Sequence, residues 1–153
     1  SKFPDDVVGL VFIDQPPDEW FDYIRTTHSP EDVAKFNKIF DPDQTDFYTG
    51  TGKEELRMYE HNAGLMKNLK IPPHIPVRML TSVKYEEMQK ERGYQPEDMI
   101  VWAEMQAEVL NGVSDAKQII TEKSGHFLQS TEPELVINAV KELVDIYRNA
   151  KSE

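Results

Sequence analysis

With 153 residues and 17.7 kDa, the chain has the size of one domain with a real core, at 39% hydrophobic and 29% charged residues. A net charge of −11 and a pI near 4.8 repel phosphate backbones and anionic lipid heads, which speaks against nucleic-acid and membrane-surface roles. The absence of cysteine excludes disulfides, thiolate metal ligands and cysteine nucleophiles, and it favours a reducing compartment such as the cytoplasm.

The first organised element is Val7 to Ile13, a run apolar on both faces and rich in β-branched residues. Such a run predicts a strand buried between two layers of a parallel sheet. It is the longest apolar stretch and far too short to span a bilayer, and no signal-peptide pattern opens the chain. Asp14-Gln15-Pro16-Pro17 ends the strand, because two prolines stop both sheet pairing and helix growth. From Asp18 to about Ile71 the chain turns polar and aromatic. Within it, Ser29-Pro30-Glu31-Asp32 supplies an N-cap, a first-turn proline and early acids, with Val33, Phe36 and Phe40 on one face of the helix that follows. Asp41 to Gly52 is a loop by composition. Lys53 to Leu69 predicts another helix, with Leu56, Tyr59, Leu65 and Leu69 inward.

A second strand, Ile75 to Thr81, follows the rigid turn Ile71-Pro72-Pro73. The Glu-rich connection from Ser82 to Gln95 reads as a solvated face that includes Glu86, Glu87 and Glu91. Pro96 opens a helix carrying Ile100, Trp102, Met105, Val109 and Leu110, which Asn111-Gly112 closes. The third strand is Lys117 to Thr121, followed by a loop from Glu122 to Ser130. A capping box at Thr131-Glu132-Pro133-Glu134 starts the last helix, through Leu135, Val136, Ala139, Val140, Leu143, Val144 and Tyr147. Strands alternating with helices give an α/β class.

In α/β proteins the reactive groups gather at the C-terminal ends of parallel strands. Two residues hold that position here: Asp14 after the first strand and His126 after the third. The segment Lys123-Ser124-Gly125-His126-Phe127-Leu128-Gln129, with Glu132-Pro133-Glu134-Leu135-Val136 behind it, resembles the histidine loop of α/β-hydrolases. The opening Phe3-Pro4-Asp5-Asp6 and the strand through Asp14 look like that family's sixth strand. Trp102, Gln106 and Leu110 are similar to the helix before the histidine strand in one esterase-like subgroup. The resemblance covers essentially the whole chain, most specifically at the histidine loop and weakly between residues 18 and 71.

It implies a partial α/β-hydrolase fold of about three parallel strands with flanking helices. Residues 1–17 and 72–153 would form the C-terminal part of the core, and residues 18–71 a helical cap or lid. It implies that His126 takes and returns the proton of a serine nucleophile, with Gly125 turning the backbone so that the ring enters the cleft. A carboxylate must then hold the other ring nitrogen. Most members place that acid after the penultimate strand, where Glu86, Glu87, Glu97 and Asp98 stand without the expected Gly-x-x-Asp pattern. Others use the end of the sixth strand, here Asp14. Asp14 is the first choice, with Asp98 and Glu86 behind it.

The family's Gly-x-Ser-x-Gly nucleophile motif does not occur, and neither Ser124 nor Ser82 stands in its context. The expectation is therefore the C-terminal half of a serine hydrolase acting on an ester or similar acyl substrate. Its partner would be an N-terminal half that supplies the serine and the oxyanion hole, or an oligomer partner. The alternative is a non-catalytic α/β remnant that serves as a protein-interaction module through its sheet edge. No cofactor is expected. His28, His61 and His74 lack ligand spacing, so no metal site is expected either, and each is read as a surface or cap residue. Tyr23, Phe36, Phe40, Phe47, Tyr48 and Tyr59 are candidates for an acyl pocket under the cap or for its ordinary core.

Overall fold

The computed structural model describes residues 6–46, 48–66 and 70–151. In chain order the elements are β1 (Leu10–Ile13), α1 (Trp20–Thr27), α2 (Pro30–Phe40), α3 (Thr51–Met66), β2 (Val77–Ser82), α4 (Glu87–Glu91), α5 (Asp98–Glu108), β3 (Ala116–Thr121), α6 (Leu128–Thr131) and α7 (Pro133–Ala150). They divide into two compact units, one of Ser1–Pro16, Lys70–Lys84 and Met99–Glu153, the other of Pro17–Leu69 and Tyr85–Asp98. The second takes in residues 85–98 besides the segment expected as the cap. The expected inward residues Leu65 and Leu69 lie outside the described side chains. Among the described residues, no helix is long and apolar enough to cross a membrane.

The first unit holds an all-parallel sheet in the order β1-β2-β3, with Ile13 beside Leu80 and Leu80 beside Ile119. The α/β expectation holds. β2 is buried along its whole length, as the central strand of such a sheet must be. Both β1 and β2 begin later than their apolar runs suggest. The Leu10 N–H donates to the Pro76 carbonyl at 3.0 Å, and Pro76 has no N–H with which to extend the ladder upstream.

Leu80, Leu128 and Ala139 form the core of this unit, surrounded by Val11, Ile13, Ile119, Leu135 and Val136. Complete burial of a leucine side chain contributes about 1.5–3 kcal/mol. Helix α7 lies against the sheet through Ala139 and Leu143, so closely that a Cβ on Gly9 would meet Leu143 at 3.1 Å. Two expectations for α7 are corrected. Val140 and Val144 are 46% and 38% exposed, on a flank of the helix that the sheet does not cover. The capping box does not form either. Thr131 closes α6, its hydroxyl donating to the Phe127 carbonyl, and Glu132 becomes the N-cap with its carboxylate drawn to Thr121. Helix α5 stops at Glu108, so Val109 and Leu110 fall in the turn before Gly112, and Ile100 is exposed.

In the second unit, α1 was not anticipated. Trp20, Phe21 and Ile24 fall on one helical face and are all buried, which is reason enough for a helix despite a polar flank. For α2 the expected cap forms: Ser29 Oγ accepts from the Asp32 N–H, and Pro30 occupies the first turn. The Phe21 ring stacks on Tyr59 at 4.8 Å and meets the edges of Phe36 and Phe40, both at 4.9 Å. Phe21, Phe40, Leu56 and Tyr59 also line a cavity of about 550 Å³, while Phe36 is wholly core. Phe47 lies outside the described residues. Helix α4 is a short element inside the connection read as a solvated face, its Glu86 N–H held by the Gln89 side chain.

Gly93 closes α4 with φ +84°, and a Cβ there would lie 2.4 Å from the Asp32 carbonyl oxygen. Both the backbone and the space demand glycine. Gly93→Ala is therefore expected to destabilise the chain by about 1–3 kcal/mol in denaturant titration, whereas Gly50→Ala, with open space around it, should cost less.

Candidate active site

The C-terminal ends of the three strands converge on one carboxylate. Asp14 follows β1 directly, and its N–H still donates to the Leu80 carbonyl at 2.7 Å. It is the one described non-glycine residue with positive φ, at 47°. That left-handed turn costs of order 1 kcal/mol but is tolerated best by Asp and Asn. It swings the side chain across to the end of β2, where Oδ1 accepts from the Ser82 N–H at 3.0 Å. Helix α5 supplies two more donors to the same oxygen, Trp102 Nε1 at 2.8 Å and Gln106 Nε2 at 3.4 Å. The remaining oxygen, Oδ2, faces His126 Nδ1 at 3.0 Å.

A buried carboxylate is stable only with such partners, and Asp14 is 4% exposed. Because an ionised carboxylate only accepts, neutral His126 must carry its proton on Nδ1 and leave a lone pair on Nε2. The His126 side chain is 42% exposed, and among the described residues nothing hydrogen-bonds to Nε2. The ring is thus oriented from behind and open in front.

The loop that carries it is fastened at both ends. Ser82 Oγ donates to the Ser124 carbonyl at 2.5 Å, and Thr121 Oγ donates to Glu132 at 2.6 Å. That second bond holds the Glu132 carboxyl below the usual carboxylate range. Gly125 is not among the glycines with positive φ, and the left-handed backbone at this site is that of Asp14. Ser82 and Ser124 are both buried, and neither hydrogen-bonds to His126.

Asp98 and Glu86, the rival acids, belong to the second unit. Glu86 is the N-cap of α4. Asp98 is committed to a different histidine: its Oδ2 lies 2.7 Å from His28 Nε2, with side chains 2% and 6% exposed. The Gln95 N–H and the Tyr23 hydroxyl also donate to Asp98, at 2.6 and 2.8 Å. Burial first, and the bond to Asp98 next, push the Tyr23 hydroxyl up to about 12, so it remains a neutral donor at physiological pH. His28, read from sequence as a scattered surface or cap residue, is part of this buried cluster. No spacing signal marks it, since its partner stands 70 residues away. His61 and His74 are exposed. Among the described residues, no group of His, Asp and Glu is placed to hold a metal ion.

Asp14→Asn and Asp98→Asn separate the two pairs. In Asp14→Asn the amide can donate to Nδ1, so the His126 proton should move to Nε2, visible in nitrogen-15 spectra of the ring. Asp98→Asn should leave the His126 tautomer intact and lower stability by about 1–3 kcal/mol through its buried partners. Protein-family models, curated proteins and solved structures offer no match to the chain.

Proposed function

We propose that this chain is the histidine- and acid-bearing half of a serine hydrolase of the α/β-hydrolase type, acting on an ester or similar acyl substrate. The observation that carries the reading is the Asp14–His126 pair, with a buried, fully donated carboxylate behind the ring and Nε2 open in front. In this reading Nε2 removes the proton of a serine hydroxyl as its oxygen attacks the acyl carbon. The imidazolium that forms is offset by Asp14, and its proton passes to the departing alkoxide. A water molecule then repeats the cycle on the acyl-enzyme. The serine and the oxyanion donors come from a segment outside these residues, because no Gly-x-Ser-x-Gly occurs among them. The cysteine-free composition supports a reducing compartment, the cytoplasm, for the enzyme.

The sheet supports a partner of this kind. β1 is an edge strand, and an open row of backbone groups invites another strand. Helix α7 adds an apolar flank on the same side. Its Glu142 pairs with Arg78 of β2 at 3.0 Å and reaches Lys117 of β3 at 3.8 Å, so the Glu142 side of the helix overlooks β2 and β3. At about 3.6 residues per turn, Ile137, Val140 and Val144 stand on the opposite flank, beyond β1. All three are exposed. The same edge and flank also favour a second reading, a non-catalytic module that binds a protein through its sheet edge.

Activity separates the two. Combined with the polypeptide that supplies the serine, the chain should hydrolyse an activated ester, and His126→Ala should lower turnover by several orders of magnitude because triad members act as a unit. Near-normal turnover of that variant leaves only the interaction module. By itself the chain should show no esterase activity and should self-associate in light scattering; a monomer that hydrolyses the ester contradicts both readings.

A further inference from the structure

Helix α5 offers more to the acid than two isolated contacts, because its buried Gln106 belongs to a continuous series of hydrogen bonds. Gln118, on β3, donates through Nε2 to the Thr81 hydroxyl oxygen at 3.0 Å and to the Ala103 carbonyl at 2.9 Å. The Thr81 hydroxyl in turn donates to Gln106 Oε1 at 2.5 Å. With its oxygen so occupied, Gln106 must present its NH₂ group to the site, where Nε2 donates to the Gln15 carbonyl at 2.7 Å and faces Asp14 Oδ1 at 3.4 Å. Thr81 and Gln106 are 0% and 1% exposed, so water cannot substitute for either partner. The bonds from Gln118 to Thr81, from Thr81 to Gln106 and from Gln106 to Asp14 all run in one direction, from β3 through β2 and α5 toward the acid. Such a chain polarises each donor in turn, and a reversed amide would set an oxygen against the carboxylate.

From this geometry we propose that Trp102 and Gln106 are positioning residues for His126. They hold Asp14 Oδ1 so that Oδ2 alone is left for the ring, and Thr81 and Gln118 fix the direction in which Gln106 donates. The Gln106 contact to Asp14 is long, so the short bond from Trp102 Nε1 fixes the carboxylate rotamer, while Gln106 clamps the backbone at Gln15, directly after the acid. The proposal rests on the serine-hydrolase reading for its consequence in turnover, but not for its consequence in the state of the ring.

Thr81→Val removes the hydroxyl at almost constant shape, Thr81→Ser keeps it, and Trp102→Phe removes the indole donor. In the full chain, nitrogen-15 spectra of wild type and Thr81→Ser should show His126 predominantly protonated on Nδ1. Thr81→Val and Trp102→Phe should show a mixture of tautomers with circular dichroism unchanged. In the assembled enzyme the same two variants should lose about 10- to 100-fold in kcat with KM little altered, and Thr81→Ser should restore most of it. If Thr81→Val does not fold, Trp102→Phe decides the matter alone. A wild-type tautomer in Trp102→Phe, or a Thr81→Ser variant as impaired as Thr81→Val, overturns the proposal. If no ester-hydrolysing assembly exists, the tautomer result still stands or falls by itself, so failure of the functional reading is told apart from failure of this one.

Discussion

A carboxylate taken out of water needs donors, and the first unit is arranged around meeting that need at Asp14. Four groups from three stretches of chain point at its two oxygens: the Ser82 amide, the Trp102 indole and Gln106 amide of α5, and the His126 ring. The parallel register that sets Ile13 beside Leu80 brings Asp14 level with the Ser82 amide. Losing any one donor leaves the charge under-compensated in a site only 4% exposed. The histidine is therefore not a loop residue that happens to lie near an acid. Its orientation is the visible end of a buried network that reaches back to β3.

The second unit uses the same chemistry without the opening. His28 and Asp98 lie closer together than His126 and Asp14, at 2.7 against 3.0 Å, and far deeper, with His28 6% exposed where His126 is 42%. The Thr27 hydroxyl closes the far side of the His28 ring at 2.9 Å from Nδ1. Both of its ring nitrogens are engaged, so it has no lone pair to lend to a substrate. Geometry of the pair alone would rank His28 above His126; the free, exposed Nε2 reverses that order.

Much of this was legible in the residue order, for physical reasons. β-branched runs, the first two flanked by prolines, marked the strands, and their alternation with helices told where Asp14 and His126 would stand. The resemblance of Ser124-Gly125-His126 to a known histidine loop singled out the ring, and Asp14 was the favoured acid for it. What was not legible depends on tertiary partners. His28 meets Asp98 across 70 residues with no periodicity to announce it. The left-handed backbone at Asp14 has no sequence signal either, since it is held by the side chain's own tertiary hydrogen bonds, which compensate the strain. Trp102 and Gln106 share a helix face, but only the fold makes them donors to the acid. Val140 and Val144 read as core because they are apolar, yet both are exposed, on a flank of α7 away from the buried Ala139 and Leu143.

The central claim is that Asp14 and His126 activate a serine that these residues do not contain. A fluorophosphonate, which phosphonylates only an activated serine oxygen, tests it when the modified residue is located by mass spectrometry in the assembled enzyme. The account predicts a single adduct on a serine outside the 153 residues, and none on the chain by itself. An adduct on Ser82, Ser124 or any other serine of this chain would contradict it.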